Sequence, residues 1–276
     1  MPEGPEVKLI CEQLNSAIKN SQIIALNIIG GRYERHGPPA QWSNLVESLP
    51  IKINSVCCKG KFIYFDLGEE SNKLYLTNTL GMSGSWKHEK TKHAHLEMIT
   101  DNGIVYFTDP RNFGTLKVII DNNELQNKLA SLGYDVLDDN EHSVKFNIEI
   151  FNKIISKKAS MNITKFLMEQ KYLCGIGNYL KAEILYESKI SPHRTLESLS
   201  EDERELLFKY IIEIPRKSYN SRGSSLLTYT DMNGDTGSNQ FTFKVYQKSK
   251  DSNGYNVIQE TTKDGRTTHW VKEVQL

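Results

Sequence analysis

The chain has 276 residues, 38% of them hydrophobic and 25% charged, with 34 basic side chains balanced by 34 acidic ones. This is the composition of a folded globular protein rather than a disordered one, and no apolar run approaches the ~18 residues that a membrane-spanning helix needs. The opening Met1-Pro2-Glu3-Gly4-Pro5-Glu6 is acidic and proline-bearing, unlike a secretory signal, so an intracellular protein of about two domains is expected.

A first helix follows the rigid start from Pro2 to Pro5. Glu3 and Glu6 suit its positive end, and Val7, Ile10, Leu14 and Ile18 keep helical spacing. Strand-like segments rich in Ile, Val, Tyr and Phe come next, at Gln22–Ile29, Ile51–Cys57, Phe62–Leu67, Lys73–Thr79, His95–Thr100, Ile104–Thr108 and Thr115–Ile120. Turn signals such as Asp101-Asn102-Gly103 separate them, which suits an antiparallel sandwich. Helical patterns then take over at Asn123–Ser131, Val144–Lys157, Asn162–Gln170, Tyr179–Ser188 and Ser200–Lys217, with the polar Asp138–Ser143 as a linker. Tyr219–Asn239 is loose and polar. Strand character resumes at Phe241–Lys248, Tyr255–Thr261 and Thr267–Val274, with Gly265 at a turn. The expected class is α+β: an N-terminal antiparallel β-sandwich with flanking helices (1–137), a helical domain (143–240) and a terminal hairpin (241–276).

Charge is uneven along this plan. Residues 216–276 carry nine Lys/Arg against six Asp/Glu, and Lys87 to His95 is locally basic, as a nucleic-acid-binding face requires. The cysteines Cys11, Cys57, Cys58 and Cys174 form no C-x-x-C pair, so reduced thiols are expected. His93 and His95 would share one strand face, but other ligands for a metal are lacking and no metal site is expected.

Pro2 is the most informative residue. An initiator methionine is normally removed when proline follows, which exposes a secondary amine. An α-amino group titrates near ~7.7–8.0, so a useful fraction is unprotonated and nucleophilic at neutral pH. Attack on C1′ of a deoxyribose would displace the base and leave an iminium ion, and that cation acidifies the C2′ proton so that the C3′ phosphate can leave. Glu3 stands beside it as the acid for the sugar ring oxygen. The plainer alternative is that Pro2 and Glu3 simply begin a helix. Further on, Gly175-Ile176-Gly177-Asn178 precedes a helix. Glycines there let a phosphate approach backbone N–H groups at the positive end, with Asn178 as an added donor or an ordinary N-cap.

Met1-Pro2-Glu3-Gly4-Pro5-Glu6-Val7 resembles the opening of the Fpg/Nei family of DNA glycosylases, and the likeness runs to about Trp270. Lys61, in Lys59-Gly60-Lys61-Phe62, is similar to the family's lysine at the lesion-side phosphate and reacting sugar. Gly81-Met82-Ser83-Gly84-Ser85 and Asp109-Pro110-Arg111-Asn112-Phe113-Gly114 resemble the loops that fill the space of a flipped-out base. Met82 and Phe113 would stack there and Arg111 would bond the orphaned partner. The segment Gly175–Leu185 resembles the family's helix–two-turn–helix, with Gly177 and Asn178 at DNA phosphates, and His93 is a further phosphate contact by its position. Asp264-Gly265-Arg266-Thr267-Thr268-His269-Trp270 resembles a finger hairpin whose Arg266 clamps phosphates, with Lys244-Val245-Tyr246 leading into it. The four cysteine ligands of the usual zinc finger are absent, as in a zincless finger.

The resemblance implies a bifunctional glycosylase and abasic-site lyase, working by β,δ-elimination without metal or organic cofactor. Its partner would be damaged duplex DNA, its state monomeric, and it would have no membrane role. Gly4 leans towards the Nei branch and its oxidised pyrimidines, formamidopyrimidines and hydantoins. Asn112 departs from relatives that carry a second arginine there. Two alternatives stand beside this reading: a catalytically silent damaged-DNA-binding module, and an Fpg-type enzyme for 8-oxoguanine, which the loop Arg222–Asn239 would decide.

Overall fold

The computed structural model describes residues 1–138, 145–223, 232 and 242–276. The chain divides into two compact units, Met1–Ser131 with Ser221–Asn239, and Leu132–Asn220 with Gln240–Leu276. The terminal hairpin therefore shares a unit with the helices. Residues 139–143 of the expected linker, and all of the loop 222–239 except 222, 223 and 232, lie outside the described residues.

Unit 1 opens with α1 (Gly4–Ile18), whose Val7, Ile10, Leu14 and Ile18 are all buried as the helical spacing requires. It continues with β1 (Gln22–Ile28), short helices α2 (Gly31–His36) and α3 (Trp42–Glu47), β2 (Ile51–Lys59) and β3 (Phe62–Leu67). Then come β4 (Leu74–Thr79), β5 (Ser85–Lys87), β6 (Ala94–Thr100), β7 (Gly103–Thr108), β8 (Thr115–Ile119) and α4 (Asn122–Ser131). Among the described residues the strands form one antiparallel ladder in the order β5-β7-β6-β1-β2-β3-β4-β8. Only two residue pairs, Gln22↔Lys52 and Ile23↔Ile51, join β1 to β2, so the ladder reads as two four-stranded halves. They face one another across the core. Trp86 of β5 packs on Phe65 of β3 at 5.2 Å between ring centroids, and its Nε1–H donates to Asn78 Oδ1 of β4 at 3.1 Å. That is the expected sandwich, closed by a buried tryptophan whose polar atom is satisfied.

Unit 2 holds β9 (Tyr134–Asp135), α5 (Ile148–Lys157), α6 (Ile163–Met168), β10 (Leu173–Cys174), α7 (Asn178–Glu187), α8 (Glu201–Asn220), β11 (Ile258–Thr261) and β12 (Thr267–Trp270). Asn147 caps α5 by accepting from the Ile150 N–H, and Asn162 caps α6 through the Thr164 N–H. The helix α7 is buried almost all round. The strands β11 and β12 pair antiparallel from Ile258↔Trp270 to Thr261↔Thr267.

Three strand expectations in this unit are corrected. Residues 242–248 form no strand, because the consecutive N–H groups of Lys244, Val245 and Tyr246 all donate to the Glu183 carboxylate, at 2.8–3.0 Å. A backbone curled around one carboxylate cannot offer alternating donors to a ladder. The strand expected over Tyr255–Thr261 starts only at Ile258. The last one stops at Trp270, where the chain turns and Gln275 N–H donates back to the Val271 carbonyl.

The finger does not fit zinc. It contains no cysteine, and Val245 and Val271 are fully buried against Ala182 and Tyr186 of α7, with Val257 and Val274 packed alongside. Asp251 accepts from the Tyr186 hydroxyl and from the Asn253 and Tyr255 N–H groups, so both its oxygens are engaged. Apolar contact and a knotted aspartate hold the segment that a metal would otherwise hold. Among the described residues, no three His, Cys, Asp or Glu side chains come together as metal ligands. No helix among them is long and apolar enough to cross a membrane.

Candidate active site

In unit 1, Pro2 and Glu3 are buried at the start of α1. The Glu3 N–H donates to Glu6 Oε2 at 2.9 Å, the two glutamates forming a reciprocal capping box. Pro2 is thereby held just ahead of the helix's positive end. Lys61 is carried on the tight turn between β2 and β3, where Lys59 pairs with Phe62 and Gly60 takes φ 58°, a conformation glycine adopts without steric cost. The terminal ammonium of Met1 lies within electrostatic reach of Glu3, Glu6, Arg111 and Lys61. Burial lowers its pKa below the usual α-amino value; Glu3 and Glu6 oppose the shift, and Arg111 and Lys61 reinforce it. Three residues picked out in the sequence, Glu3, Lys61 and Arg111, thus act electrostatically on the Met1 amine, which directly precedes Pro2. Glu6, read from sequence only as a helix-start residue, joins them.

The two loops carrying Met82, Arg111 and Phe113 are braced by a residue the sequence reading did not single out. Asp109 is 1% exposed. Its Oδ1 accepts from the Ser83 hydroxyl at 2.6 Å and from the Arg111 N–H at 3.2 Å, and its Oδ2 accepts from the Gly114 N–H at 2.6 Å. The loops touch where a Cβ on Gly81 would lie 2.7 Å from the Gly114 nitrogen, so glycine is needed there. Asn112 sits at φ 57°. Its Oδ1 accepts from the Arg32 N–H, and its carbonyl accepts from the Arg32 guanidinium at 2.7 Å. Phe113 stands 52% exposed, with the Arg111 guanidinium 5.2 Å from its ring centre, and Met82 is half-buried. His93 lies beside this hub, its carbonyl accepting from the Asp109 N–H. Its neighbour His95 has its pKa lowered by burial, an effect Asp109 opposes.

In unit 2, Gly177 is the N-cap of α7. Asn178 is its first helical residue rather than the cap. Its Nδ2 donates to the Thr267 carbonyl at 2.8 Å, tying the helix start to the hairpin that bears Arg266. Arg266 is exposed, following Gly265 at φ 74°. Beneath it lies an ion pair invisible to local sequence reading: Lys181 Nζ and Asp264 Oδ2 are 2.6 Å apart with side chains 0% and 3% exposed. Asp264 also accepts from the Thr262 hydroxyl.

Residues 1–116 match the formamidopyrimidine-DNA glycosylase N-terminal domain, and residues 133–230 match the same family's H2TH domain. A formamidopyrimidine-DNA glycosylase of a Wolbachia strain from Brugia malayi is 31% identical over 286 aligned positions, spanning 100% of both chains. The chain belongs to the formamidopyrimidine-DNA glycosylase family. The enzyme of that name from Lactococcus lactis subsp. lactis is 30% identical, over 98% of this chain and 97% of its own. The Lactococcus lactis protein in complex with DNA containing an abasic site superposes with a TM-score of 0.84 at 28% identity, over 99% of each chain. The same protein bound to N7-benzyl-Fapy-dG DNA gives an equal score. The family's β-sheet domain, H2TH domain and terminal hairpin are thus all present, as the sequence resemblance implied.

Proposed function

We propose that this member of the family is a bifunctional DNA glycosylase and abasic-site lyase acting in base excision repair, with the Pro2 nitrogen as its nucleophile. The observation that carries the reading is the placement of Pro2 and Glu3, both buried at the start of α1, beside a Met1 amine on which Glu3, Glu6, Arg111 and Lys61 act electrostatically. Removal of Met1 would expose the Pro2 nitrogen as the new terminal amine, one residue along from that position. The Pro2 nitrogen attacks C1′, the glycosidic bond breaks and the base leaves with its electron pair. Glu3 protonates the ring oxygen as the sugar opens to an iminium ion. Loss of the C2′ proton then expels the C3′ phosphate, and a second elimination expels the C5′ phosphate. Lys61 and Arg266 hold phosphates and assist these eliminations.

Met82, Arg111 and Phe113 occupy the space left by the extruded nucleotide, on loops locked together by Asp109. His93, Gly177 and Asn178 bind backbone phosphates, Gly177 and Asn178 standing at the positive start of α7. No metal and no organic cofactor enters, since the amine itself supplies the electron sink. The protein works as an intracellular monomer on duplex DNA.

The relatives' name and their DNA complexes support ring-opened purines as substrates, with 8-oxoguanine as the second reading. Oxidised pyrimidines and hydantoins rest on Gly4 alone. Incubating processed protein with duplexes carrying one formamidopyrimidine, one 8-oxoguanine or one 5-hydroxyuracil separates them. Base release and a nick ending in 3′ phosphate are expected first with the formamidopyrimidine. Binding to all three without any nick would mean a silent damaged-DNA-binding module instead.

A further inference from the structure

Unit 2 carries a second cluster of positive charge, apart from the start of α7. A cavity of about 600 Å³ lies between the end of α5, the start of α6, the segment 193–195 and the hairpin turn. Lys157, Lys158, Lys165, Lys263 and His193 line it, and no lining residue is acidic. Its floor is fixed. The Asn162 side chain donates to the Pro192 and Arg194 carbonyls and accepts from the Thr164 N–H, and Asn162 pairs with Thr195 across a β-bridge. The nearby Glu260 is held by the Trp270 Nε1–H and by His193 rather than by any of the lysines.

Four lysines lining a bowl with no acidic lining residue concentrate positive charge there. A bound phosphate would supply the missing counter-charge. The hairpin suggests which phosphate: Lys263 and Arg266 stand at the two ends of one tight turn, closed by the Thr262 N–H to Arg266 carbonyl bond. We infer that this bowl is a second phosphate subsite, taking the DNA backbone beyond the segment held at Arg266 and the start of α7. The inference rests on the chain's being a DNA-binding protein but not on the Pro2 chemistry.

The test compares wild type with a Lys157→Ala/Lys165→Ala/Lys263→Ala variant on abasic-analogue duplexes of about 11 and about 25 base pairs, titrated at several salt concentrations. On the long duplex the variant should bind roughly tenfold more weakly and its log K against log salt slope should fall by about 2, as for two lost phosphate contacts. On the short duplex both proteins should match, and borohydride trapping there reports the catalytic reading separately. Inorganic tripolyphosphate titrated into each protein by calorimetry is the second arm. Binding to wild type only, with unchanged DNA slopes, supports a phosphate site whose source is a free ligand. Equal slopes on both duplexes together with no tripolyphosphate binding would overturn the inference. Thermal melts of the variant at or above wild type would show that the lysines are not needed for the fold.

Discussion

At the residue scale, the central feature is the electrostatic setting of one amine. Burial, Arg111 and Lys61 push the pKa of the Met1 amine down, while Glu3 and Glu6 pull it up. The same setting should act on the Pro2 amine once Met1 is removed, so the rate of imine formation on a preformed abasic site should rise with pH through a midpoint below that of an exposed N-terminus, ~8. Lys61→Ala or Arg111→Ala removes a cation that disfavours the ammonium, so either should move that midpoint upward, as read from single-turnover trapping at graded pH. Glu3→Gln should depress base release far more than cleavage of a preformed abasic site, because the latter no longer needs the glycosidic step. Much of this centre was legible in the sequence, since Pro2, Glu3 and Lys61 sit in short local patterns. Asp109 was not, because its meaning lies in partners from two loops, Ser83 being 26 residues away. Asp109→Ala leaves three donors without their acceptor. It should cost about 1–3 kcal/mol in urea unfolding, with weaker duplex binding at an abasic site.

At the element scale, the finger shows how a metal's task can pass to ordinary packing. Val245 and Val271 bury themselves on α7, Glu183 gathers three N–H groups, and Lys181 reaches Asp264 under the hairpin. Removing one member of a buried ion pair strands the other charge. Lys181→Ala should therefore cost about 3–5 kcal/mol and loosen the hairpin that presents Arg266. Thermal denaturation should show the loss, and Asp264→Ala added to Lys181→Ala should recover part of it. Chelator dialysis should leave both the melting temperature and strand cleavage unchanged; loss of either on chelation would contradict the zinc-free account. Sequence patterning placed the helices and sandwich strands well, because their burial follows period 3.6 or 2. It misread residues 242–248, where Val and Tyr suggest a strand but the backbone wraps a carboxylate 61–63 residues distant. Short α2 and α3 also escaped it, having no apolar face of their own and at most one buried residue.

At the scale of the whole molecule, the family assignment and the chemistry have different foundations. Relatedness runs the length of the chain. The catalytic account rests on the few residues around the amine, and it requires Met1 to be gone. The measurement that tests it most directly is borohydride reduction of the protein with a duplex containing one abasic site, followed by mass mapping of the trapped peptide. The account predicts a covalent adduct on the nitrogen of an N-terminal Pro2, absent from a Pro2→Leu variant that keeps its methionine. An adduct mapped to Lys61 or another lysine, or one formed undiminished by protein that retains Met1, would contradict it.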